Sequence, residues 1–240
     1  MFHRAIGSAP ISDLFDHTGA IRRPPLRQLA REFRALFDGK PQPLDPVETP
    51  SGDGRGVLII PAFLTNDGDT AALRQFLDAH GFRSFGWEQG VNWGPTPRIL
   101  AGLRAKLTEL CEQTGGPISI VGISLGGLLA VDLAHDCPEQ VSQVVTLASP
   151  LRLPTASSME ALIRLCGLSY SAGIQPERLA LPLPMPSTAF FTRDDGIIAW
   201  ESCRLPHGAN GTNIEVTGAH VTISRNPELR RLLVRCLAAV

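Results

Sequence analysis

Gly122, Ser124 and Gly126 form a G-x-S-x-G pentapeptide. About one random chain in seven of this composition would carry that pattern, so the pattern alone says little. Its setting says more. Ile118 to Val121 reads as a buried strand leading in, and Leu125 to Val131 as a helix leading out. A sharp strand–turn–helix holds a serine hydroxyl clear of the backbone at the carboxyl end of a sheet, where it can act as a nucleophile. Glycines at both ends let the strand and helix approach closely. The bland alternative is a tight turn with an incidental serine.

A serine nucleophile needs a base. The histidines are His3, His17, His80, His135, His207 and His220. His3 and His17 precede the sheet, and His80 and His135 sit near helix C-termini, where a cation complements the helix dipole. His220 follows the last expected strand and precedes the final helix, on the same sheet edge as Ser124. It is the expected base, with His207 the rival. The base needs an orienting acid. Asp194 and Asp195 follow the penultimate expected strand. Asp195 is favoured because Gly196 and two apolar residues follow it, a turn that sends its carboxylate inward. Charge on a tetrahedral intermediate needs aimed donors. The backbone N–H of Leu125 and that of Phe63, in the loop after the first buried strand, are the expected pair. Asn92, Trp93, Leu151 and Met159 are candidates for contact with substrate; a loop-anchoring Asn92 and a packed Trp93 are equally open.

Elements that could hold these residues alternate along the chain. The apolar run Val57 to Ile60 reads as a strand covered on both faces. Helix over Asp69–His80, strand over Phe82–Trp87, helix over Pro97–Gln113, strand over Pro117–Val121, helix over Leu125–His135 and strand over Val141–Ala148 follow. Short connections between them imply βαβ units and a mostly parallel sheet flanked by helices. Strands over Thr188–Thr192 and Asn213–Thr217, a helix over Ile197–Arg204 and a final helix over Pro227–Ala238 complete the series. Between 151 and 186 the rhythm breaks. Leu153, Met159, Leu162, Ile163, Leu165 and Leu168 make this a short apolar insertion, expected to hold a helix over Ser157–Leu168. It either caps the site, lining a medium or shallow pocket, or simply packs on the sheet.

Residues 1–46 read as an N-terminal helical arm and linker, and 47–240 as the main domain. A helix from Pro24 places Leu26, Leu29, Phe33, Leu36 and Phe37 on one face. The arm is expected to pack on the domain without belonging to its core, and to be dispensable for chemistry.

With 22 basic and 23 acidic residues among 240, general attraction to nucleic acid or anionic lipid is not expected. The 43% of hydrophobic residues is enough for a core. The 5 cysteines are widely spaced with no C-x-x-C pair, which suits free thiols in a reducing compartment. Nothing resembles a signal peptide, and no apolar run reaches the roughly 18 residues of a membrane span. A cytoplasmic protein is the expectation; the oligomeric state is not legible.

Taken together, Val57–Phe63, Gly86–Pro95, Val121–Gly127, Thr146–Pro150, Asp195–Trp200 and His220 with Asn226 and Pro227 resemble the α/β-hydrolase superfamily. Within it, the likeness is to small bacterial lipase- and esterase-like serine hydrolases, over about residues 52–238. The order Ser124, Asp195, His220 is that superfamily's order. The resemblance implies hydrolysis of a small-molecule or lipid-like carboxylic ester through an acyl-enzyme, with no metal and no organic cofactor. An acyltransferase, or an idle binding protein on the same fold, are the alternatives. One departure stands out. Lipase relatives carry glycine before the oxyanion residue, where this chain has Ala62. If that position required positive φ, alanine would cost about 1 kcal/mol and weaken the oxyanion loop.

Overall fold

The computed structural model describes residues 24–37, 50–152, 173–206, 208 and 210–240. Six strands form one sheet: β1 (Gly56–Ile60), β2 (Arg83–Phe85), β3 (Ile118–Ile123), β4 (Val141–Leu147), β5 (Ser187–Phe191) and β6 (Gly211–Glu215). Their order is β2-β1-β3-β4-β5-β6 and every pairing is parallel. Among the described residues the α-helices are α1 (Leu26–Phe37), α2 (Asp67–Ala79), α3 (Pro97–Thr114), α4 (Leu125–Asp136), the short α5 (Pro176–Leu179) and α6 (Pro227–Ala238). No helix among the described residues is long and apolar enough to cross a membrane.

The continuous apolar runs have a direct cause. Along β1, Leu58 and Ile60 join the core beneath α3 and α4, while Val57 and Ile59 join the core beneath α2 and α6. With helices on both faces, neither set of alternating side chains meets water. Helix ends follow their caps. Asn66 and Asp69 form a capping box at the start of α2, Thr96 and Pro97 open α3, and Gly115 closes it at φ 79. Asn226 and Pro227 open α6 in the same way.

Two elements are shorter than the pattern predicts. β2 stops at Phe85 because the N–H groups of Trp87 and Glu88 donate to the Asp67 carboxylate, at 2.9 and 3.0 Å, rather than to a neighbouring strand. The helix expected over Ile197–Arg204 is reduced to one 3-10 turn, Trp200–Cys203. Ahead of it the Asp195 carboxylate accepts from the N–H groups of Ile197 and Ile198.

The helix expected over Ser157–Leu168 lies outside the described residues, as does most of the insertion. Its described C-terminal part packs as core rather than cap: Ile174, Leu179, Leu183 and Met185 are buried with the α3/α4 cluster. Arg178 fastens α5 to α4 through Asp136, at 2.7 Å.

Candidate active site

β3 ends at Ile123 and α4 begins at Leu125, so Ser124 carries the whole turn. It does so at φ 50, ψ −117, a conformation that costs a non-glycine residue of order 1–3 kcal/mol. Surrounding contacts hold it there. Ser124 N–H donates to Leu147 O on β4 at 2.8 Å, and Gly127 N–H donates to Ser124 O at 2.9 Å. A Cβ on Gly122 would collide with the backbone of Gly127, and one on Gly126 with the carbonyl of Ile60. Strand and helix therefore meet at backbone contact, which only glycine permits.

The loop after β5 carries the acids. Asp195 is 3% exposed. Its Oδ1 accepts from Ile197 N–H at 2.9 Å and Ile198 N–H at 2.7 Å, which fixes the carboxylate plane. Its Oδ2 lies 2.7 Å from His220 Nδ1. Asp194 turns the other way, to Arg31 at 3.2 Å. His220 opens a 3-10 turn, His220–Arg225, between β6 and α6. Its Nε2 lies 3.0 Å from Ser124 Oγ. Thr192 Oγ1 donates to Gly218 O at 2.9 Å and ties the acid loop to the histidine loop. Burial alone pulls the His220 pKa down. The charge of Asp195, its hydrogen bond and the charge of Glu32 outweigh burial, so His220 sits above the ordinary histidine value. His207 lies outside the described residues. His80 Nδ1 is held by Phe76 O at 2.7 Å, far along the chain from this cluster.

A cavity of about 300 Å³ opens beside Ser124 and His220. Phe63, Ile123, Pro150, Ile197, Ile198 and Ile223 give it apolar walls; Thr65, Asp69, Thr70, Ser224 and Arg225 supply the polar part. Phe63 and Leu125 both line it. Among the described residues, neither of their N–H groups donates to another backbone carbonyl outside the regular elements.

The four substrate-contact candidates fare differently. Asn92 is fully buried and does not line the cavity. Its Nδ2 donates to Pro61 O at 2.7 Å, its Oδ1 accepts from Gly94 N–H at 3.0 Å, and its backbone pairs with Leu64 and Thr65. It anchors the loop that carries Phe63. Trp93 is 56% exposed and also outside the cavity wall. Leu151 is buried in the core, with its neighbour Pro150 reaching the cavity instead. Met159 lies outside the described residues. Ala62 is corrected as well. Among the described residues the non-glycine ones at positive φ are Asp53, Leu64, Glu88, Ser124 and Ala148, so the loop places its left-handed residue at Leu64 (φ 61), and Ala62 carries no such strain.

The sequence reading missed Glu32 entirely. This residue of α1 is 2% exposed and reaches the loops that hold Asp195 and His220. α1, the helix of the expected arm, thus touches the loops that carry Asp195 and His220.

No protein-family model matches the sequence, and no curated protein is significantly similar to it. Solved structures do align. The monoacylglycerol lipase of Paleococcus ferrophilus superposes with TM-score 0.56 at 16% identity, over 82% of this chain and 99% of that one. A mature lipase of Bacillus licheniformis gives 0.55 at 16%, over 78% and 94%. An α/β hydrolase from a sediment metagenome of the Mar Chica lagoon in Morocco gives 0.55 at 17%, over 76% and 90%. The chain has the α/β-hydrolase fold. Identities this low carry architecture only, so any activity must be argued from the site.

Proposed function

We propose that this α/β-hydrolase-fold chain is a serine hydrolase of carboxylic esters. The observation that carries the reading is the unbroken hydrogen-bonded line from Asp195 through His220 to Ser124, with the serine on a strained turn at an apolar cavity. In this reading His220 Nε2 takes the hydroxyl proton as Ser124 Oγ attacks the acyl carbon. Asp195 Oδ2 accepts the Nδ1–H, which fixes the tautomer and stabilises the imidazolium. The oxyanion receives the N–H groups of Phe63 and Leu125. His220 then delivers its proton to the departing alcohol. In the second half it takes a proton from water, whose oxygen attacks the acyl-enzyme, and returns that proton to Ser124 Oγ as the acid departs.

The cavity narrows the substrate. Some 300 Å³ with mostly apolar walls is at the small end of ligand sites, which favours esters of short to medium acyl chain. The test is covalent. A fluorophosphonate should label the protein once, at Ser124, and Ser124→Ala should abolish labelling along with hydrolysis of p-nitrophenyl esters. Labelling that survives Ser124→Ala overturns the assignment.

A further inference from the structure

Burying a carboxylate on the inner face of a helix is costly unless each oxygen is hydrogen-bonded. Glu32 on α1 is such a carboxylate, and its acceptances are specific. Oε1 takes Gly196 N–H and His220 N–H, both at 2.8 Å, and Oε2 takes Val221 N–H at 3.0 Å. Gly196 directly follows Asp195. One side chain therefore joins the loop of the acid to the loop of the base. The rest of α1 is fitted to the same task. Gln28 Nε2 donates to Arg193 O at 3.0 Å, and Arg31 pairs with Asp194. Gly196 sits so close to α1 that a Cβ there would strike the Gln28 backbone. Meanwhile Phe33 of the same helix stays 61% exposed. Glu32, Gln28 and Arg31 thus turn to the loops of the site.

We propose that Glu32 is a positioning residue of the hydrolase site: α1 clamps the Asp195 and His220 loops in register, and its carboxylate stabilises the His220 imidazolium formed during reaction. The inference rests on the reading of Ser124, Asp195 and His220 as the reacting set. Two effects follow. Held at both loops, Asp195 Oδ2 and His220 Nδ1 keep their 2.7 Å separation without relying on their own bond. The buried negative charge also adds to that of Asp195 in favouring protonated His220.

Other groups near His220 are accounted for. Asp195 comes from the loop after β5, and burial, then the charges of Asp195 and Glu201, push the Cys203 thiol well up. Asp69 at the start of α2, held by Asn66 N–H, and Arg225 at the end of the histidine turn line the cavity side.

The test uses Glu32→Gln in the full chain, which keeps volume and one acceptor oxygen but removes the charge. Two readouts are taken: NMR titration of the His220 ring, and the pH dependence of p-nitrophenyl ester hydrolysis. The expected result is a His220 titration, and an acid limb of kcat/KM, both moved to lower pH. kcat should fall roughly 10- to 100-fold with KM little changed, as expected for misplaced catalytic groups. Glu32→Ala should fall further; if it does not fold, Glu32→Gln still decides. A folded Glu32→Gln with unchanged titration and unchanged kcat overturns the proposal and leaves Glu32 as a loop filler. A wild type that neither labels nor hydrolyses esters overturns the hydrolase reading instead, while the titration still reports whether Glu32 is coupled to His220.

Discussion

Replacing Asn92 by alanine tests how the loop that carries Phe63, the proposed oxyanion donor, is held. The side chain is fully buried and spans from Pro61 O to Gly94 N–H. Alanine leaves a buried carbonyl and a buried N–H without those partners, and each orphan costs about 1–3 kcal/mol. The two share one site and do not add fully, so about 3 kcal/mol is the expected loss. For a domain of this size that corresponds to a fall in Tm of roughly 6–12 °C. The catalytic consequence is separate. Pro61 lies two residues before Phe63, whose N–H is one of the two proposed donors to the oxyanion. Loss of one such donor costs about 10²–10³ in kcat, so a loop set loose at Pro61 should forfeit a large part of that. Thermal unfolding and p-nitrophenyl ester kinetics on the same preparation separate the two effects. Asn92→Asp is the sharper variant, because it keeps the acceptor for Gly94 but faces a carboxylate oxygen toward Pro61 O. A variant with lowered Tm and intact kcat would refute the link from Asn92 to the oxyanion; an unchanged Tm would refute the account of the anchor itself.

Two further outcomes follow from the geometry. Ala62→Gly should leave kcat unchanged and lower stability by about 0.4–1 kcal/mol, because Ala62 is not at positive φ and glycine only adds unfolded-state entropy; a faster enzyme in steady-state assays would show hidden strain. Asp195→Asn should lower kcat by about 10⁴ by loss of the orienting acid, whereas Asp194→Asn, which gives up only an exposed contact to Arg31, should change it little; the reverse ranking, with both variants folded by circular dichroism, would exchange their roles.

The alternation of strands and helices was legible because both faces of this sheet are covered. Val57 to Ile60 can be continuously apolar only under that condition, and Ile118 to Val121, apolar but for Ser119, is likewise buried along its length. The proximity of Ser124, Asp195 and His220 was legible for a topological reason. In a parallel sheet every strand delivers its C-terminal loop to one edge, so residues just past β3, β5 and β6 meet although 96 positions separate Ser124 from His220. Strand ends were less legible. β2 stops where Asp67, on α2, captures two N–H groups, and nothing in the run from Phe82 to Trp87 announces that competition.

Glu32 and Asn92 mark where periodicity stops informing. A helical wheel sorts α1 into an apolar stripe and a polar remainder, and assigns the remainder to water. That sorting weighs only transfer from water, whereas three backbone N–H groups at a sheet edge can hold a carboxylate that no apolar side chain could replace. The partners lie 164, 188 and 189 positions from Glu32, so no local window contains them. Asn92 differs only in scale, with Pro61 31 positions away. In both cases a side chain from a distant part of the chain completes the hydrogen bonding of a loop at the carboxyl edge of the sheet. The fastening residue can come from any part of the chain whose backbone passes close. The close passage itself leaves one trace in the sequence, the glycine at 196 that admits α1, and that trace becomes readable only once the helix is in place.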